Sequence, residues 1–370
     1  LYYHSPTPKS KQLIFTSEIK GAKNFPDSIE EYPPGFITKF ELNEFGALDK
    51  NQYNFNWIYN VKQIDSNDSS VTEEFFLSNI RNAIINAVRR RLDADRPVAF
   101  LLSGGVDSSL VSAIGQRILG VPIKTFCCGM KGGTDLKYAK MVAEHIGSHH
   151  NEVYFTAEDG VNALEEVIYA TETWDTTTVR ASVGQFMVCK HIGTKTDCKV
   201  VLVGEGPDEV CSSYLFNWYA PNAESLDSAA KEYVKNIHYY DCRRGDRCIS
   251  YWGLEGRVPL LDPEVIEAYW KLPAEWRMPK YKGVEKWWLR KAFDGLDLLP
   301  DEVLWRKKEA FSDGVSSKER SWYEIIQEEC EKNITTAMMD QAKVDWLHHT
   351  PPTKEAYHFR KIFTDKFGVN

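Results

Sequence analysis

Pro97-Val98-Ala99-Phe100-Leu101-Leu102-Ser103-Gly104-Gly105-Val106-Asp107-Ser108-Ser109-Leu110-Val111-Ser112-Ala113-Ile114 is the stretch that decides the fold. Its first part, through Leu102, is an apolar run that reads as a buried strand, and its last part has helical periodicity. Residues 103–109 therefore form a glycine- and serine-rich loop at a helix N-terminus. Unpaired backbone N–H groups and the helix dipole attract phosphate at such a place. The two glycines let backbone approach a ligand closely, and the serines add hydroxyl donors. Asp107 would repel phosphate unless a cation lay between, so the natural reading is Mg²⁺ held jointly by Asp107 and phosphate oxygens. No Gly-Lys-Ser/Thr follows, so this is not a Walker A loop. A serine-capped tight turn is the bland alternative, but a strand before the loop and a helix after it favour nucleotide pyrophosphate binding.

Outward from this stretch, strand and helix signals alternate. Phe75, Phe76, Ile80, Ile84, Ile85 and Val88 recur at helical spacing. Strands are expected at 98–102, 123–128, 152–155 and 200–203, and helices at 109–119, 136–146 and 161–171. Repeated β-then-α units predict an α/β fold: a parallel sheet with helices on both faces. Ligands of such sheets bind outside the carboxyl ends of the strands, where loop 103–109 falls. After about residue 224 the chain reads as mainly helical, with loops at 257–262 and 306–314. Residues 1–58 read as a small β-rich part, 59–72 as a polar linker and 73–370 as the α/β unit.

A second buried run, Val200-Val201-Leu202-Val203, leads into Gly204-Glu205-Gly206-Pro207-Asp208-Glu209. Asp208 is a candidate second carboxylate for the same Mg²⁺. Glu205, flanked by glycines, is placed to orient or deprotonate an incoming nucleophile, a role served by a raised pKa. Alone, this would be a common solvated acidic loop; paired with the first loop it reads as part of a site. Arg306-Lys307-Lys308 offers charge for a departing pyrophosphate, although by itself it reads as a solvated basic run. Thr176-Thr177-Thr178-Val179-Arg180 is either an anion-binding helix start or an N-cap with an exposed arginine. His149-His150 reads as structural or exposed, and Trp287-Trp288 as core or interface.

The 370 residues carry a net charge of −8, which weighs against a nucleic-acid or anionic-membrane surface. No stretch approaches a membrane span, and no signal-peptide pattern opens the given sequence. The eight cysteines show neither a disulfide framework nor paired zinc spacing, so a reducing, cytoplasmic location is expected. The chain opens at Leu1 in what reads as the interior of a domain, so sequence upstream is expected.

The motif set resembles the glutamine-hydrolysing asparagine synthetases. The resemblance rests on 100–110, His145-Ile146-Gly147-Ser148, 172–183, 204–209, Gly253-Leu254-Glu255-Gly256-Arg257-Val258-Pro259-Leu260-Leu261-Asp262 and 305–315, in the family's order over most of 73–370. It implies a PP-loop ATP pyrophosphatase fold of the adenine-nucleotide α-hydrolase type. It also implies a reaction in which aspartate and ATP give β-aspartyl-AMP and pyrophosphate, and ammonia then displaces AMP. By motif position, Leu102, Ser103, Gly104, Gly105, Asp107, Ser108, Ser109, Gly129, Val203, Gly204 and Lys308 would bind ATP or pyrophosphate. Asp107 and Asp208 would hold Mg²⁺, and Glu205, Lys308 and Asp107 would be catalytic. Thr177, Thr178, Arg180, Glu205 and Asp208 would line the substrate site.

Two departures stand out. The family usually has serine where Val203 and Pro207 stand, and Cys211-Ser212-Ser213 replaces a more glycine-rich turn. The family's N-terminal nucleophile cysteine is missing, and residues 1–58 resemble only the last strands of the glutaminase domain. The resemblance therefore implies ammonia that is free or delivered by a glutaminase domain or subunit, and leaves a homodimer open. Competing readings are a β-lactam synthetase-like adenylating ligase and a non-catalytic assembly subunit with a decayed nucleotide site. The second rests on Val203 and Pro207 alone, against intact Asp107, Glu205, Asp208 and Lys308.

Overall fold

The computed structural model describes residues 2–4, 13–22, 29–42, 48–55, 60–65, 71–308, 314–316 and 320–368. Near the N-terminus, β1 (Tyr2–His4) pairs antiparallel with β2 (Ile14–Thr16) on one side and β3 (Ile29–Glu31) on the other. A separate hairpin joins β4 (Phe36–Leu42) to β5 (Leu48–Asn54). Of the expected linker, 59 and 66–70 lie outside the described residues. The rest is not free chain: Ile64 N–H donates to the Lys271 carbonyl at 2.9 Å, and Val61, Ile64 and Val71 pack on the main core.

The α/β unit opens with α1 (Glu73–Arg90), capped by the Thr72 side chain and carrying two acids in its first turn. It continues through β6 (Val98–Leu101), α2 (Val106–Leu119), β7 (Lys124–Gly129), α3 (Thr134–Ile146), β8 (His149–Tyr154), α4 (Ala157–Thr171), α5 (Thr176–Lys195) and β9 (Val200–Leu202). After a short α6 (Pro207–Val210) come α7 (Ala223–Lys235), α8 (Asp241–Ser250), β10 (Glu255–Arg257), α9 (Pro263–Trp270) and α10 (Trp287–Phe293). The chain closes with α11 (Trp322–Asn333), α12 (Thr336–Asp345) and α13 (Lys354–Phe367). The five strands are parallel in the order β10-β9-β6-β7-β8.

Side chains alternate across a strand, so a sheet buried on both faces must feed two cores. Phe100, Leu102, Cys127, Val200 and Leu202 join one core with α1, α2, α3, α9 and α10. Ala99, Phe126, Cys128, Val201 and Val203 join the other with α4, α5, α8, α11 and α13. Helices on both faces of a parallel sheet are therefore what the chain builds. The sequence did not anticipate β10. Glu255-Gly256-Arg257 has no apolar run, and it joins only as an edge strand pairing with β9. Helix α4 starts earlier than expected because a capping box, Thr156 with Asp159, extends it through a polar first turn.

The order of strands fixes the site. From β6 the chain moves outward through β7 to β8, then returns to place β9 on β6's other side. That reversal opens a crevice at the carboxyl ends of β6 and β9. Both glycine loops lead out of those two strands.

Candidate active site

The crevice is an open cleft enclosing a cavity of about 200 Å³. One wall is the loop after β6. Gly104 has φ +76° and backs directly onto Tyr138 and Ala139 of α3, so no side chain fits there. Ser103 and Ser108 bind each other through their hydroxyls at 3.0 Å, and Ser103 N–H donates to Ser108 Oγ at 3.1 Å. Gly105 is the N-cap of α2 and supplies no side-chain cap, which leaves the first-turn N–H groups to a ligand. Across the crevice, Gly204 runs so close to α2 that a Cβ would stand 2.5 Å from Ser108 N.

Asp107 and Asp208 face each other across Lys286. The Lys286 Nζ lies 2.5 Å from Asp107 Oδ2 and 2.5 Å from Asp208 Oδ1. Lys308 Nζ reaches Asp208 at 2.9 Å and sits 4.6 Å over the Tyr214 ring. Burial pushes the Asp208 carboxyl up, but Lys286 and Lys308 outweigh it and hold it below the usual carboxylate range. Burial raises the Asp107 carboxyl, with Lys286 opposing. Lys286 is itself buried, in the left-handed conformation (φ +56°) at the N-cap of α10, and its two acids hold its ammonium charged against burial. Arg306 extends this cationic end, donating to the Gly104 carbonyl at 3.2 Å and pairing with Asp135 at 3.2 Å.

The other end is acidic. Glu205 Oε1 accepts from Gln185 Nε2 of α5 at 2.9 Å and from Arg244 Nη2 of α8 at 3.2 Å. Asp241 shares Arg244 at 3.4 Å. Glu205 Oε2 is buried without a partner among the described residues. Burial raises the Glu205 pKa, against the pull of Arg244. That suits a group that must take a proton.

Leu102, Ser103, Gly105, Asp107, Ser108, Val203, Gly204, Glu205, Asp208 and Lys308 all line the cleft. Gly104, Ser109 and Gly129 do not: Gly104 backs onto α3, Ser109 is fully buried in α2, and Gly129 packs on Leu136 at the end of β7. Thr177, Thr178 and Arg180, expected to line the substrate site, lie outside the lining of this cleft. Thr178 is held by the α5 N-cap Asp175 at 2.7 Å, and Thr177 is exposed. Arg180 is spent on Glu355 of α13, which Gln327 also grips at 2.6 Å. His149 is exposed and His150 binds Thr125; Trp288 is core. Residues 309–313 of the basic loop lie outside the described residues.

Sequence reading missed Lys286, Gln185, Asp241 and Arg244. Trp287-Trp288 marks α10, but nothing in that pattern says its cap residue reaches Asp107. Val203 and Pro207, the substitutions around Gly-Glu-Gly, both line the cleft. Pro207 is the first residue of α6, where an N–H has no helical partner, and Val203 is buried in the second core.

Residues 79–233 and 219–364 match the asparagine synthase family model. The chain belongs to the asparagine synthase family. It is 44% identical over 291 residues to the glutamine-hydrolyzing asparagine synthetases of Gallus gallus and Homo sapiens, covering 77% of this chain and 52% of each relative. The chain thus spans about half the length of the curated relatives it matches. Among solved structures, NMN synthetase from Francisella tularensis aligns at TM-score 0.30 and 14% identity over 77% of this chain and 96% of that one. No described helix is long and apolar enough to cross a membrane.

Proposed function

We propose that this chain carries the synthetase half-site of an asparagine-forming enzyme: ATP-dependent, AMP- and pyrophosphate-forming amidation of aspartate. The observation that carries the reading is one cleft with a lysine-lined phosphate end and a buried, partly unpaired glutamate at the other. A β-carboxylate oxygen of aspartate attacks the α-phosphorus of ATP. The new O–P bond forms as the bond to the bridging oxygen breaks, and pyrophosphate leaves with the electron pair. Its charge meets Lys286, Lys308, Arg306 and the open N-terminus of α2. The apolar wall of Leu102, Phe126 and Val188 suits the adenine.

The residues present fit Mg²⁺ only together with the nucleotide. Among the described residues no group of three or more candidate ligands exists, but Asp107 Oδ1 is buried and unpartnered. One or two carboxylates plus phosphate oxygens is the usual Mg²⁺ arrangement, so Asp107 and Asp208 would hold it. When bound, the ion offsets the phosphate charge.

Ammonia then attacks the β-carbonyl carbon. The C–N bond forms, the C–O bond to AMP breaks, and the surplus proton passes to Glu205 Oε2. The ammonia is free or comes from a glutaminase part, of which we assign only the tail, residues 1–58, to this chain. The test is incubation with aspartate, ATP, Mg²⁺ and ammonium, with products followed by mass. Asparagine, AMP and pyrophosphate in equal amounts are expected. ADP and phosphate, or no asparagine from folded protein, would refute the proposal.

A further inference from the structure

We infer that Gln185 is the positioning residue for Glu205 in amide formation, an inference that rests on the function proposed above. Gln185 is only 4% exposed, on the face of α5 that meets the cleft. Burying an amide side chain costs free energy unless it is hydrogen-bonded, so a buried glutamine at a reactive carboxylate calls for a role. Its Nε2 donates to Glu205 Oε1 at 2.9 Å. Arg244 donates to the same oxygen at 3.2 Å. A carboxylate oxygen offers two lone pairs, and these two donors claim both. The carboxylate is thereby pinned in one rotation, with Oε2 left as the atom that can take a proton. The space for Oε2 is made by Gly245 of α8, where a Cβ would overlap it.

The charged and titratable groups facing Glu205 are Asp241, Cys242, Arg244 and Cys248 on α8 and Cys189 on α5. Burial pushes all three thiols up, so they stay neutral. Arg244 and Asp241 form a pair of opposite charge. Gln185 is the neutral donor on this carboxylate, and a donor to the charged form favours it. With Arg244 it therefore favours the ionised form of Glu205 against burial.

The test compares Gln185→Leu with wild type in both half-reactions: aspartate-dependent pyrophosphate release and ammonia-dependent asparagine release. Q185L is expected to slow amide formation about ten- to a hundredfold more than pyrophosphate formation, the worth of one hydrogen bond to a charged group. At fixed free ammonia, the acid limb of its pH profile should move to higher pH. Equal slowing of both steps, or an unmoved limb, would overturn the inference, because Gln185 would then serve only packing or nucleotide binding. A second readout needs no activity: melting temperatures of Q185L, E205L and the double variant. Losses of the two single variants that exceed the loss of the double variant show the coupling, and additive losses contradict it. If wild type releases no aspartate-dependent pyrophosphate, the proposed function fails, while this cycle still decides the Gln185–Glu205 pairing.

Discussion

The phosphate end of the cleft begins with Ser103 and Gly105 on the loop after β6 and Asp107 and Ser108 in the first turn of α2. The amine end sets Glu205, from the loop after β9, against Gln185 of α5 and Arg244 and Asp241 of α8. The first is a backbone device: an uncapped helix start, closely approached loops and paired serines. The second is a side-chain device whose members meet only when three elements pack. The difference teaches that a phosphate-facing backbone can come from one contiguous motif, whereas tuning one carboxylate needs partners from elsewhere in the chain, as do the lysines that add charge to the phosphate end. It also implies that the two ends can be damaged separately.

The largest effect should come from Lys286→Met. It leaves Asp107 and Asp208 facing each other in a buried site, and removing one partner of a buried pair costs about 3–5 kcal/mol. Thermal unfolding should show that loss, and pyrophosphate release should fall with amide formation. A K286M protein with wild-type stability would mean that the carboxylates do not need this cation.

Next in size is Glu205→Gln, which keeps the shape and removes the base. Amide formation should drop about 10²- to 10⁴-fold while aspartate-dependent pyrophosphate formation falls far less. The wild-type pH profile for amide formation should carry an acid limb above the ordinary glutamate range, because burial raises the Glu205 pKa and only the ionised form accepts a proton. Activity is then present above that limb and lost as pH falls through it. A limb at or below the ordinary value would contradict the assignment.

Gly245→Ala is a smaller test of the same end. The added methyl overlaps the Glu205 carboxylate, so amide formation should fall by up to about a hundredfold, the cost of a misplaced group. Steady-state rates with ammonium check it. Smallest is Arg180→Gln, outside the cleft. Both half-reactions should stay within about twofold, while stability drops by about 1–3 kcal/mol because Glu355, fully buried, loses a charged donor. A hundredfold loss of activity in R180Q would return Arg180 to the site.

Much of this was legible before the structure. Strand, glycine loop and helix in succession give the crevice its first wall, and a second strand ending in Gly-Glu-Gly gives the opposite one, because apolar runs and turn residues are local signals. Lys286 was not legible. Its role depends on a left-handed N-cap that aims a lysine back at two distant acids. Gln185 sits within an ordinary helical pattern, and only the packing of α5 against the β9 loop turns it toward Glu205. The Thr177-Thr178-Arg180 segment shows the converse. Its residue types suit an anion, but the α5 N-cap Asp175 already holds Thr178 and Glu355 already holds Arg180.

The central claim is that adenylation at the phosphate end runs without help from the amine end. The direct measurement is exchange of labelled pyrophosphate into ATP by the wild-type chain with aspartate and Mg²⁺ and with ammonia rigorously excluded. The account predicts exchange that requires aspartate and proceeds without ammonia. Exchange only when ammonium is added, or none from folded protein, would contradict it.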